Sequence, residues 1–329
     1  MNKTIGLILG KFAPFHVAHR RLIEFALKKV DEVYVIIYDC PNLTTIPLNV
    51  RANWVRYFFP KVHVIEGWDA PNKHEDTPEV KRLQEEYVKT ALNGKKITHF
   101  ISSEYYGEHM SKFLGAINTK TKRNNPISAT MIRKGECLNE AFLSTIVYKD
   151  ILIKVAVVGV PSQEQSNLVK CIAKKLKTSY VEDNLFELLT RKNRELPINK
   201  FDFYEIANKK YKVANTKDKI FSGKEYLVYN STGFVDHLLS IATHNKFDEN
   251  LYIFFSEDMK NYDLVFVNDN LKNNFSKMLN IDSSIFINQL TNNLDTLGIN
   301  YQILSGTFKE KLLMLEKSIK SFKKRFNPK

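Results

Sequence analysis

Ten residues near the N-terminus, Gly10-Lys11-Phe12-Ala13-Pro14-Phe15-His16-Val17-Ala18-His19, gather groups that suit phosphate binding. A glycine ends an apolar run, a lysine stands beside it, and two histidines follow three residues apart. On a helical turn that spacing puts both imidazoles on one face. The imidazoles, the ammonium and the amides at the helix start could then converge on a polyphosphate. A second group lies at Pro126-Ile127-Ser128-Ala129-Thr130-Met131-Ile132-Arg133. Ser128 can cap a short helix whose first amides, with the Thr130 hydroxyl, would face an anion. Arg133 sits one turn on and could grip phosphates as a planar fork. Donors of this kind suit reactions in which the protein aligns phosphates and stabilises a leaving group.

The elements that must position these groups alternate between apolar runs and helical patterns, the signature of parallel α/β architecture. Strands are predicted at Thr4–Leu9, Val33–Tyr38, Val62–Ile65 and Ile97–Ile101. Helices are predicted near His16–Val30 and Asn49–Phe59, from Thr77-Pro78, and from Ser128. The pattern then restarts with a buried-type strand over Ile151–Gly159 and a helix near Glu164–Lys177. Later strands are predicted at Tyr226–Tyr229, Leu264–Val267 and Tyr301–Leu304. A boundary near Lys149 follows, with domains at 1–149 and 150–329.

The first domain resembles the nucleotidylyltransferase superfamily, whose mark is a His-x-x-His pair with glycine before the second histidine. Here Ala18 replaces that glycine. The longer Gly-Lys-Phe-x-Pro-x-His string and Ile-Ser-x-Thr-x-x-Arg are similar to the NadR-type adenylyltransferases. The resemblance implies a Rossmann-like domain that joins ATP to nicotinamide mononucleotide (NMN), giving NAD and pyrophosphate, with Mg²⁺ on the phosphates. It implies charge stabilisation by His16, His19, Lys11 and Arg133, and ATP contacts from Gly10, Phe12, Ser128 and Thr130. The segment Ile101–Gly107 follows a strand, where ligands bind in open sheets, and the resemblance implies that Ser103, Glu104 and Tyr105 hold the adenylyl portion. Asp39, Arg51, Trp54 and Trp68 form the expected NMN side, with Arg51 on its phosphate and Trp68 stacked on the pyridinium. Turn formation is the plain alternative for Asp39, and core packing for either tryptophan.

The second domain resembles the P-loop ribosylnicotinamide kinase joined to NadR-type enzymes. A working loop needs Gly-x-x-x-x-Gly-Lys-Ser/Thr, so that amides and a lysine cradle the phosphates. This chain keeps Gly159 and Ser166 but places Glu164 at the second glycine and Gln165 at the lysine. Asn230 stands where an aspartate is expected. Phe201–Tyr204 and Asn261–Leu264 resemble other kinase segments. The implied domain keeps the fold without phosphorylating, the loop being degenerate.

At 329 residues, 43% hydrophobic and 26% charged, the chain fits a soluble two-domain globular protein. No apolar run approaches the roughly 20 residues of a spanning helix, so no membrane is expected. The start MNKTIGLILGKF reads as a strand rather than a signal peptide. Cys40, Cys137 and Cys171 lack metal-type spacing, which argues for a reducing, cytoplasmic setting, no disulfide framework and no protein-held metal. Of the net charge of +13, about half comes from Lys309–Lys329, where eight Lys/Arg face Glu310 and Glu316. With no aromatic-interleaved basic motif, this reads as a solvated helix; nucleic acid is not expected. Expected ligands are ATP and NMN or NAD, and a homo-oligomer is left open. Two rivals remain open: a non-catalytic NAD/ATP-sensing regulator, and an adenylyl- or cytidylyltransferase with another phosphate acceptor.

Overall fold

In the run Ile5–Gly10 four consecutive residues, Gly6–Leu9, are buried, the pattern of a strand covered on both faces. In the computed structural model this is β1, at the centre of a wholly parallel sheet. The structure describes residues 3–71, 77–103, 107–121, 127–136, 138–139, 141–183, 185, 204–208, 224–244, 247–270, 276 and 279–322. It divides into two units, one within Met1–Ile151 and the other at Leu152–Phe322.

In the first unit β1 is joined by β2 (Glu32–Tyr38), β3 (His63–Gly67), β4 (His99–Ser102) and β5 (Ile117–Lys120), in the order β3-β2-β1-β4-β5. The crossovers include α1 (Val17–Leu27), α2 (Leu48–Phe58), α3 (Pro78–Leu92) and α4 (Gly107–Leu114). Two short helices follow, α5 (Ala129–Arg133) and α6 (Thr145–Ile151). Leu7, Leu9, Ile36 and Phe100 of the sheet pack with Val88 and Leu92 of α3 and Met110 of α4. The order reverses direction at β1, which has β2 on one side and β4 on the other. In open parallel sheets a ligand crevice lies beyond the carboxyl ends of such a pair.

The second unit centres on β6 (Ile153–Gly159), with β7 (Ser179–Val181), β8 (Tyr226–Asn230), β9 (Leu264–Asn268) and β10 (Tyr301–Leu304) in the order β10-β9-β6-β8-β7. All four pairings are parallel. Its helices include α7 (Gln163–Lys175), α8 (Gly233–His244), α9 (Glu249–Met259), α10 (Ser283–Thr296) and α11 (Phe308–Ser321). One core packs Val158, Val265 and Val267 with α8, α9 and α10; the other packs Val155, Val157 and Phe266 with α7 and α11.

Two α/β domains with parallel sheets were therefore legible in sequence. Ile151, expected to open a strand, instead ends α6, and β6 begins at Ile153. The apolar run Ile151–Leu152–Ile153 crosses from helix to strand, which hydrophobicity alone cannot divide. The edge strands β5 and β7 were unanticipated; β5 reads Ile-Asn-Thr-Lys with no fully buried residue, so it carries no apolar run.

Candidate active site

The exits of β1 and β4 open into one cavity of about 470 Å³, within the usual range for a small-molecule site. Its wall contains Lys11, His16, His19, Ser128, Thr130 and Arg133, so both sequence motifs reach the same space. Gly10 closes β1; a Cβ there would lie 3.2 Å from the Phe12 ring. Phe12 itself has φ of 46°, a strained value for a bulky residue, which turns the chain sharply and tucks its side chain inside. The ring meets His19 edge-on, with centroids 4.7 Å apart. Phe12 thus supports the second histidine from below as well as lining the cavity.

His16 is the N-cap of α1. Its Nδ1 accepts from the Ala18 amide at 3.3 Å, and the Nδ1 of His19 accepts from the His16 amide at 3.4 Å. The pair forms a capping box in which histidine replaces the usual serine and glutamate. An Nδ1 that accepts a hydrogen bond carries no proton, which leaves Nε2 as the protonated nitrogen of a neutral tautomer. The rings stack with centroids 3.8 Å apart. Much of the amide set at the start of α1 is consumed within the protein: Val17 N–H donates to Phe142 O, Ala18 N–H to His16, and Arg20 N–H to His16 O. The expectation that these amides bind phosphate is therefore corrected for those three. The side chains of Lys11, His16 and His19 line the cavity.

Ser128 caps α5 by accepting from the Met131 amide at 3.2 Å. One terminal nitrogen of Arg133 donates to Ala13 O and the other to the Thr130 hydroxyl, both at 2.9 Å. Arg133 thereby fastens the second motif to the first; burial pulls its pKa below the usual arginine value. Ser102 and Ser103 line the cavity at the end of β4. Glu104, Tyr105 and Cys137 lie outside the described residues, as do Phe201–Phe203.

The expected NMN side is rearranged. Arg51 is fully buried and is absent from the cavity wall. Its Nε donates to Ile46 O at 3.2 Å, one terminal nitrogen to Lys11 O at 2.6 Å and Tyr38 O at 2.9 Å, and the other to Asp39 Oδ1 at 3.0 Å. It is a clamp between the exits of β1 and β2, and its donors are turned to protein rather than to ligand. Asp39 is the partner of that clamp and also accepts from the Cys40 amide. Burial raises the Cys40 thiol above its ordinary pKa. Trp54 is a core residue, 1% exposed, with its indole N–H donating to Asp150 at 2.6 Å. Trp68 is 56% exposed and donates to Glu66, apart from the described wall. For Trp54 the core-packing alternative holds. In place of these residues the wall includes Tyr38, Leu43 and Pro71, with Lys81 and Gln84 from α3 and His109 from α4. Sequence reasoning missed Lys81 and Gln84 because charged and amide residues in an amphipathic helix are ordinarily solvated.

In the second unit the strand-to-helix turn has a different interior. Gly159 has φ of 150° and a Cβ there would lie 2.7 Å from Asn268 O, so only glycine fits. Ser162 caps α7, its hydroxyl accepting from the Gln165 amide at 3.1 Å. The Gln165 side chain is fully buried and donates to Val157 O at 3.3 Å and to Asn230 Oδ1 at 3.0 Å. Asn230 in turn donates to the Ser166 hydroxyl at 3.0 Å. Gln165, Asn230 and Ser166 therefore form one neutral hydrogen-bonded chain. Glu164, at the place of the second glycine, is paired: Lys311 of α11 donates to it at 2.8 Å and Asn270 at 3.2 Å. The nearly buried Lys311 also donates to Asn268 and lies 3.2 Å from Asp269.

Residues 7–135 match the family described as Cytidylyltransferase-like. Among solved structures, the chain is similar to a NadR protein in complex with NAD and AMP-PNP. Identity is 17%, coverage is 97% of this chain and 95% of that one, and the TM-score is 0.58. A NadR protein in complex with NR matches with the same figures. At such identity the likeness is one of fold, and it extends over both units. No curated protein matches the chain.

Proposed function

We propose that the chain transfers the adenylyl group of ATP to the phosphate of NMN, forming NAD and releasing pyrophosphate, in the cytoplasm. The observation that carries this reading is the convergence of Lys11, His16, His19 and Arg133 on one cavity at the sheet's switch point. An oxygen of the acceptor phosphate attacks the α-phosphorus of ATP, and the bond from that phosphorus to the bridging oxygen breaks. The nucleophile is already an anion, so the protein need not remove a proton. Its work is alignment and stabilisation of the charge gathering on pyrophosphate. His16 and His19 donate through Nε2, Lys11 supplies a point charge, and Arg133 supplies donors beyond the two that hold Ala13 and Thr130.

The described wall holds lysine, histidine, arginine, serine, threonine and glutamine but no carboxylate. This donor set suits an anion, and Mg²⁺ fits as a companion of the ATP phosphates, where it would neutralise charge, rather than as an ion held by the protein. The matched NadR structures contain NAD, AMP-PNP or NR, ligands of the same chemical kind. The second unit is proposed to be inactive as a kinase, because Gln165, Asn230 and Ser166 are hydrogen-bonded to one another where a lysine, an acid and a metal-binding hydroxyl would be needed.

The test is to incubate the full chain with Mg-ATP or Mg-CTP and a panel of phosphate acceptors, NMN among them, and to identify products by mass. NAD and pyrophosphate from ATP plus NMN are expected. A cytidylylated product, or another acceptor used in preference, would overturn the donor or acceptor assignment. No product from any pair would remove the reading as an enzyme.

A further inference from the structure

The proposed reaction brings two phosphorylated substrates together, and the acceptor's phosphate needs a cation of its own. Arg51, the residue that sequence offers for this, is enclosed and engaged with Ile46, Lys11, Tyr38 and Asp39. The sheet order gives the cavity two flanks about β1. On the β4 flank stand Ser102, Ser103 and, from the second motif, Ser128, Thr130 and Arg133. The other flank follows β2 and β3 and contains Tyr38, Leu43, Pro71, Lys81 and Gln84. Among the described wall residues, Lys81 is the cation of this second flank. It lies early in α3, just after the Thr77 cap and Pro78, and so near the end of the sheet where the cavity opens. Lys81 and Gln84 are three residues apart, neighbours on one helix face, and both are half-buried.

We propose that Lys81 binds the acceptor's phosphate, with the Gln84 amide beside it for the same ligand's hydroxyl or amide groups. This rests on the adenylyl-transfer reading. It gives the two substrates separate anchors, Arg133 and the histidines for ATP and Lys81 for the mononucleotide, so that each phosphate is held before they meet. A lysine suits this place, since its ammonium acts as a point charge on a flexible stem and needs no planar fork.

Lys81→Met should raise the KM for NMN by about 10- to 100-fold, the loss of one charged contact, and leave the KM for ATP within about twofold. Lys81→Arg should recover most of the affinity, since charge is what the site requires. Calorimetric titration of NMN into the chain without ATP should show the same order: wild type, then Lys81→Arg, then Lys81→Met. An unchanged KM for NMN in Lys81→Met, or a rise confined to ATP, overturns the assignment. If wild type makes no dinucleotide at all, the titration alone decides. Weakened mononucleotide binding in Lys81→Met then supports the site although the reaction is wrong, and undiminished binding sinks the site.

Discussion

At the scale of single residues, His16 and His19 do two jobs that substitution can separate. The Nδ1 of His16 caps α1 and the Nδ1 of His19 accepts from the His16 amide, while both rings line the cavity. His19→Ala should lower turnover by roughly 10²–10³, the usual scale for one transition-state donor. His16→Ala should do the same and also lose the cap, a cost of about 1 kcal/mol. Asparagine is itself a favoured cap, so His16→Asn should restore thermal stability to near wild type while leaving turnover low. Turnover in His16→Asn close to wild type would mean that the imidazole serves only the helix. The place of the two histidines in the cavity wall was legible in sequence because their spacing and their position at a strand exit are local facts. Their tautomers were not, since these depend on which backbone amide each nitrogen meets.

At the scale of elements, the cavity is held open by contacts that join segments far apart in the chain. Arg133 ties α5 to Ala13, and Arg51 ties α2 to the ends of β1 and β2. Sequence could place Arg51 on a helix after β2, and an arginine there reads as a ligand for phosphate. What it could not show is that the helix's own buried face, with Leu48, Ala52, Trp54 and Val55, turns Arg51 inward as well. A buried guanidinium then takes whatever carbonyls lie near it, and here they belong to the loops that carry Lys11 and Asp39. Arg51→Lys keeps the charge but cannot reach four acceptors at once, leaving buried carbonyls unpaired. A loss of about 3 kcal/mol is expected, on the scale of breaking a buried charged network. Calorimetry should show a lower unfolding temperature, and turnover should fall at temperatures where the variant is still folded, because the Lys11 loop shifts. An unchanged unfolding temperature would show that the clamp carries no stability. Unchanged turnover in a destabilised variant would show that it does not set the loop.

At the scale of the whole molecule, two parallel α/β units lie in one chain, and sequence read both because buried central strands leave long apolar runs. It also read the second unit as lacking the residues of a working phosphate loop, with Glu164 and Gln165 at the places of the second glycine and the lysine. In the fold Glu164 is paired with Lys311, distant in sequence. The deeper change is the exchange of a charged arrangement for a neutral one, with Gln165, Asn230 and Ser166 bonded in a chain below the helix start. Such a network is stable only if its members agree, and that can be measured. Gln165→Lys alone would bury an ammonium against an amide, and Asn230→Asp alone would bury a carboxylate against another. Each should destabilise the chain by a few kcal/mol, the usual result of an uncompensated buried charge. The double substitution creates a lysine–aspartate pair at the same 3 Å separation, so the two costs should not add. Chemical unfolding of the wild type, both singles and the double should give a favourable coupling of about 1–3 kcal/mol, the range for residues in one network. The double variant should still fail to phosphorylate nicotinamide riboside with ATP, because the Ser162 hydroxyl still occupies the amide of position 165 and a carboxylate, Glu164, still stands at the place of the loop's second glycine. Additive costs would show that the two side chains do not sense one another. Phosphorylated product would show that the pair was all that separated this unit from a kinase.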